Sequence, residues 1–175
     1  KKADLEDLAS KKWLNDMIIN AMLALFCSRP DADAIALSSF FFNDYEKGGY
    51  EKVRGWTHKK MPHGIFSKDM VLIPANMNGN HWVLFVIDNT TRSIEIYDSM
   101  VSIAEKSDYD KYINFLLDFI KNEQENHNLP FEYWDTVVMK SPQQNNGYDC
   151  GVFTIGMAST LVYSETFLDL SLIHI

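Results

Sequence analysis

Cysteine is scarce in this chain, with two residues, Cys27 and Cys150, among 175. Two cysteines cannot build a disulfide framework, and nothing around them has zinc-ligand spacing. That scarcity fits a reducing compartment. Positive charge is short as well: 16 Lys and Arg against 24 Asp and Glu leave a net charge of −8. Nucleic acid is therefore disfavoured as the main partner, because phosphate binding wants a basic face. The one basic run, His58-Lys59-Lys60, reads as a solvated loop. No apolar run approaches the ~20 residues needed to cross a bilayer. No signal-peptide pattern, internal repeat, low-complexity stretch or linker is visible, so residues 1–175 read as one domain. The chain opens on lysine and reads as a piece of something longer. Its last six residues, LSLIHI over 170–175, are what a common transposase sequencing adaptor spells when translated. The expectation is a non-native tail on a chain cut short of its natural end.

What is present is a pattern of alternating elements. Trp13, Ile18, Met22 and Phe26 share one face of a helix predicted over 13–27, ended by Arg29-Pro30-Asp31. Phe40-Phe41-Phe42 reads as a short strand or turn, followed by a weak helix from about Tyr50 to Trp56. Met70 to Pro74 reads as a strand stopped by its proline, and Asn76 to Asn80 as a polar loop. The continuous apolar run Trp82–Ile87 suits a strand buried on both faces. Asn89-Thr90-Thr91-Arg92 is the turn of a hairpin, and Ser93–Tyr97 alternates as its second strand. Tyr109, Ile113, Leu116, Leu117 and Ile120 mark a helix over 107–122, and Tyr133–Met139 a further strand. Gly151–Tyr163 is apolar nearly all round and predicts a central buried helix. The fold class is α+β, with helices packed against a mainly antiparallel sheet.

The hairpin has a chemical consequence. His81 precedes its first strand and Asp98 follows its second. An antiparallel pair brings its open ends together, so the imidazole and the carboxylate can hydrogen-bond, fixing the ring tautomer and stabilising the imidazolium. Cys150 opens the buried helix. A helix N-terminus, with its unpaired N–H groups and partial positive charge, favours the nucleophilic thiolate. Gly147 is expected to let the incoming backbone turn, and Gly151 to leave space beside the sulfur. An oxyanion needs aimed donors. The Cys150 N–H is one, and a glutamine amide from Gln143 or Gln144 is another. Cys27 reads as core, and His58, His63 and His127 as exposed; His174 lies in the suspect tail.

Six segments carry a family resemblance. They are WLND followed by IIN over 13–20, SFFF over 39–42, GYEKVRGW over 49–56, HWVLFVID over 81–88, IYDSM over 96–100 and PQQNNGYDCGVF over 142–153. In order and spacing the chain resembles the Ulp/sentrin-specific proteases, cysteine peptidases that process and remove the small ubiquitin-like modifier SUMO. The resemblance implies a papain-like fold with the nucleophile at the start of a buried helix. It implies Cys150 as nucleophile, His81 as general base and acid, and Asp98 as its orienting partner. It selects Gln144 over Gln143 as oxyanion donor. It implies that Trp13 and Trp82 line a narrow tunnel for the modifier's Gly-Gly tail, where only residues without Cβ pass between the indoles. Asp16 resembles a position that pairs with a basic residue of the modifier. No metal or organic cofactor is implied. The implied partner is SUMO or a related modifier with its conjugates, with no nucleic acid and no membrane, bound by a monomer in the nucleus or cytoplasm. Rival readings are a NEDD8- or ubiquitin-directed isopeptidase, an inactive modifier-binding module, and a viral or bacterial effector peptidase. GYEKVRGW is more similar to the SUMO branch than to the NEDD8 branch. The similarity fades after Tyr163, where the family continues into a strand-loop region and a C-terminal helix.

Overall fold

The computed structural model of the chain describes residues 13–58, 61–101 and 107–163. The LSLIHI tail, His174, Lys59 and Lys60 lie outside them. Helix α1, Asp16–Cys27, starts where Asn15 stays extended and its Oδ1 accepts the Ile18 amide at 3.1 Å. That N-cap satisfies one of the helix's free N–H groups and leaves Trp13 and Leu14 outside the helix predicted for them. Strand β1, Ala34–Ala36, carries only three residues and no periodic signal announced it.

Phe40-Phe41-Phe42 form no strand. Phe41 and Phe42 open helix α2, Phe41–Val53, and are buried to 0% and 4% exposure. This helix breaks at Gly49, whose φ of 59° and ψ of −156° lie outside helical space. Only glycine adopts such angles freely, and the break sets the turns before Gly49 apart from the helix that the sequence predicts from about Tyr50. A short α3, Gly55–His58, and a 3-10 turn, Gly64–Ser67, follow.

Strand β2, Met70–Met77, runs straight through Pro74 rather than stopping there. The Met70 amide donates to Asp33 O and the Leu72 carbonyl accepts from Leu37 N. Residues 70, 72 and 74 therefore turn their backbone polar groups toward β1. That strand ends opposite Leu72, so the missing N–H of Pro74 forfeits no ladder bond.

Strands β3, His81–Asp88, and β4, Ser93–Tyr97, form the expected hairpin with Asp88 opposite Ser93. Asp88 Oδ1 accepts the amides of Thr90 and Thr91 and shapes the turn. Helix α4, Ser107–Asn126, strand β5, Asp135–Val138, and helix α5, Cys150–Tyr163, complete the described elements. The strand order is β1-β2-β3-β4-β5. The long inner pairings are antiparallel and the short outer ones parallel.

Side chains alternate across this sheet. Val71, Ile73, Val83, Phe85, Ile87, Ile94 and Ile96 face α2 and α4 in one core. Leu72, Trp82, Leu84, Val86 and Tyr97 face α1 and α5 in a second. A core on each side explains why β3 is apolar without interruption.

Candidate active site

The hairpin register places the first pair. Leu84 lies opposite Tyr97, so continuing the ladder puts Asp98 opposite Val83 and His81 two residues further along the same face. The two side chains meet diagonally, with His81 Nε2 2.7 Å from Asp98 Oδ1. His81 retains 19% of its side-chain exposure and Asp98 only 1%. Asp98 Oδ1 also accepts the Met100 amide at 2.7 Å, and Oδ2 accepts the Tyr109 hydroxyl at 2.6 Å. The Asp98 carbonyl takes Ser141 Oγ at 2.7 Å and Gln143 Nε2 at 2.9 Å. Backbone and carboxylate are thus both pinned.

Cys150 is the first residue of α5 and is 2% exposed. Its side chain is among the groups that act on the His81 ring to raise its pKa. With Nε2 committed to Asp98, Nδ1 is the nitrogen left for the sulfur. Burial by itself pushes the imidazole pKa down. The bond to Asp98 and the influence of Cys150 outweigh it, and the ring is carried up to about 9. Burial would likewise raise the Asp98 carboxyl, but the donors His81, Tyr109 and Met100 hold it below its ordinary value. At neutral pH the pair is an imidazolium on a carboxylate. It can pair with an attacking thiolate and hand a proton to a leaving amine.

The glutamines separate. Gln143 Nε2 is spent on the carbonyls of Asp98 and Ser141, at 2.9 and 3.1 Å. Gln144 is oriented from both ends, its Oε1 accepting Ser99 Oγ at 2.6 Å and its Nε2 donating to Asn146 O at 2.5 Å. One amide hydrogen of Gln144 remains for an oxyanion.

The tryptophans separate too. Trp13 is 50% exposed, lines a cleft of about 360 Å³ with His81, Asp98 and Gly147, and donates its indole N–H to Gly147 O at 2.9 Å. Trp82 is 2% exposed, because its strand position turns it into the second core, and it donates to Leu14 O at 2.9 Å. It does not line that cleft. Asp16 Oδ1 accepts Ser39 Oγ at 2.8 Å beside a second, polar cavity.

Both glycine readings change. Gly147 has open space around its missing Cβ and no positive φ, so nothing in its conformation requires glycine. At Gly151 a Cβ would lie 2.9 Å from Leu14 Cβ. The space serves the approach of the residues leading into α1, not the sulfur. His127 is half-buried rather than exposed, with Nε2 close to Gly64 and Glu123. Cys27 is half-buried against the second core, where burial pushes its thiol up to about 11. Tyr109, Ser99 and Ser141 are site residues that sequence reasoning missed. Tyr109 occupies an ordinary core position of its helical stripe, and the serines belong to no recognisable pattern. Among the described residues no cluster of His, Cys, Asp and Glu could hold a metal.

A mixed sheet between two helical layers, with a cysteine opening one helix beside a histidine–aspartate pair, defines the papain-like class of α+β folds. Residues 12–171 match the Ulp1 protease family, C-terminal catalytic domain, and the chain belongs to that family. It is 32% identical over 156 residues to ubiquitin-like-specific protease 1 of Saccharomyces cerevisiae, covering 86% of this chain and 23% of that protein. It is 35% identical over 165 residues to the sentrin-specific protease of Caenorhabditis elegans, covering 87% of this chain and 22% of that one. The chain thus spans less than a quarter of the length of these relatives. It also superposes on the C-terminal Ulp1 protease domain in complex with Smt3, the yeast orthologue of SUMO. The TM-score is 0.81 at 30% identity, covering 94% of this chain and 72% of that one.

Proposed function

We propose that this chain is a SUMO-directed cysteine peptidase that cleaves after the modifier's Gly-Gly terminus, in precursors and in isopeptide conjugates. The observation that carries the reading is the His81 Nε2–Asp98 Oδ1 bond of 2.7 Å at the cleft lined by Trp13 and Gly147, with Cys150 three residues beyond Gly147 at the start of α5. Membership of the Ulp1 protease family and likeness to a domain complexed with Smt3 support the choice of modifier. The Cys150 sulfur attacks the glycine carbonyl carbon, and the charge on its oxygen meets the Cys150 N–H and the Gln144 amide. The C–N bond then breaks as the His81 proton passes to the departing amine, leaving a thioester. His81 next takes a proton from water, the hydroxide displaces the sulfur, and the modifier leaves with a free carboxylate. The tail enters the cleft beside Trp13. Trp82 acts from behind, holding the Trp13 segment through Leu14 O. Asp16, already oriented by Ser39, meets a basic residue of the modifier. The enzyme works as a monomer in the nucleus or cytoplasm, a placement supported by its two free cysteines.

The test is hydrolysis of fluorogenic C-terminal derivatives of SUMO, NEDD8 and ubiquitin by the protein and its Cys150→Ala variant. SUMO turnover well above the other two, absent in the variant, is expected. Equal or greater NEDD8 or ubiquitin turnover, or activity without the Cys150 sulfur, refutes the assignment.

A further inference from the structure

Asp98 has a second oxygen that the His81 contact does not use, and the sequence gives it a dedicated donor. Tyr109 sits in the first turn of α4 at 1% exposure, its ring edge-on to Phe85 at 6.4 Å. Its hydroxyl reaches out of this apolar setting to Asp98 Oδ2 at 2.6 Å. A buried carboxylate oxygen without a donor bears its full desolvation cost and leaves the group free to rotate. The Met100 amide shares Oδ1 with the imidazole, so among the described residues Tyr109 is the donor that fixes the other end of the carboxylate.

We propose that Tyr109 is a positioning residue of the catalytic site, holding Asp98 ionised and in the one orientation that aims Oδ1 at His81. The inference rests on the peptidase reading above and adds a fourth residue to its His–Asp–Cys set. The hydroxyl acts on the charged form of Asp98. Burial dominates in pushing the phenol's own pKa upward, and the bond to Asp98 adds to it, so Tyr109 stays a donor throughout the working range. Among the described residues, the titratable groups that act on Asp98 are His81 from β3 and Tyr109 from α4, while Asp108 acts on Tyr109 and Cys150 on His81. Of these, Tyr109 is the one that donates to Oδ2. Without the hydroxyl, burial still favours the neutral acid and one opposing bond is gone, so Asp98 takes up its proton at higher pH. A protonated Asp98 no longer anchors the imidazolium.

The test compares Tyr109→Phe with Ile113→Val, a core change one turn along the same helix. Tyr109→Phe should lower kcat on the order of tenfold with little change in KM, and move the acidic limb of the kcat profile to higher pH. Ile113→Val should leave that limb in place. Independently of any substrate, the carboxyl carbon of Asp98, followed by NMR, should titrate at higher pH in Tyr109→Phe than in the unsubstituted protein. In the unsubstituted protein, the Tyr109 Cζ resonance should follow the same titration, which tests the contact even if the variant does not fold. Failure to cleave any modifier, with the Asp98 shift intact, would sink the peptidase reading and leave the contact standing. An unmoved Asp98 midpoint in folded Tyr109→Phe, or a Cζ signal indifferent to Asp98, would overturn the proposal.

Discussion

Replacing Asp98 by asparagine keeps the shape of the side chain and removes its charge, and the consequence can be worked through His81. In the native site burial presses the imidazole pKa down, and the bond to Asp98, with the influence of Cys150, carries it from 6.5 up to about 9. At pH ~7.5 such a ring is charged in all but roughly 3% of molecules. An amide cannot supply the electrostatic part of that support, while burial is unchanged. The pKa then falls toward or below 6.5, and at the same pH only about a tenth of the rings, or fewer, stay charged. Loss of the charge-assisted bond that aims the ring adds about 1.5–3 kcal/mol, another factor of roughly ten to a hundred. Together these predict a fall in kcat of about 10² to 10³ at neutral pH. The sign with pH follows from the direction of the shift. His81 holds its proton below its folded pKa, so the native basic limb lies near 9 and that of Asp98→Asn moves below neutrality. A fluorogenic modifier derivative assayed across the pH range, with circular dichroism confirming the fold, reads both effects. An Asp98→Asn variant within threefold of the native rate, with its basic limb still near 9, would refute the reasoning.

Gln144→Ala should reduce kcat by about 10² with KM nearly unchanged, because the amide meets charge that develops only in the transition state. Gln143→Ala should act mainly on stability, through the Asp98 carbonyl it holds; equal kcat losses in the two variants would show that their roles have been wrongly divided. Gly64→Ala should destabilise by about 3 kcal/mol or more in urea melts. The residue has φ of 56°, and a Cβ there would run into Glu123 Oε2 and lie 2.6 Å from His127 Nε2. A change under 1 kcal/mol would mean that the buried Glu123 cluster gives way more easily than its bonds to Tyr50 and Ile65 suggest.

The hairpin was the most legible part of the chain because strand period and turn chemistry agreed over residues 82–97 and needed no distant partner. His81 and Asp98 followed from it, since hairpin register alone brings them to one end. Pro74 misled because the cost of a proline depends on which neighbour its nitrogen faces, and that neighbour, β1, is set by a strand too short to announce itself. Phe40–Phe42 misled because three aromatics suit a strand locally, whereas helix α2 buries Phe41 and Phe42 against α4 and the sheet. The choice between Gln143 and Gln144 was invisible to spacing. Adjacent residues differ here by what their amides meet, the Asp98 carbonyl for one and Ser99 with Asn146 for the other. Tyr109 could not be distinguished from its apolar neighbours on the helical stripe, because its hydroxyl matters only once Asp98 lies above it.

The site also joins the two sides of the sheet. His81 and Asp98 take the face that carries Tyr109 and the first core, whereas Cys150 belongs to the second core on α5. A sheet separates these cores, so sulfur and ring can meet only past its end, where β3 begins and α5 starts. Their separation therefore depends on how α5 is set against the head of β3. Residues 13 and 14 make that connection three times. Leu14 O accepts from Trp82 on β3, Leu14 packs where Gly151 on α5 lacks a Cβ, and Trp13 donates to Gly147 just before Cys150. None of this is available to residues wound into a helix, whose carbonyls point along its axis. By capping α1 at Asp16, Asn15 keeps Trp13 and Leu14 out of the helix and free to tie strand to loop. The boundary that hydrophobic spacing misplaced by three residues is thus part of what holds the thiol to the imidazole.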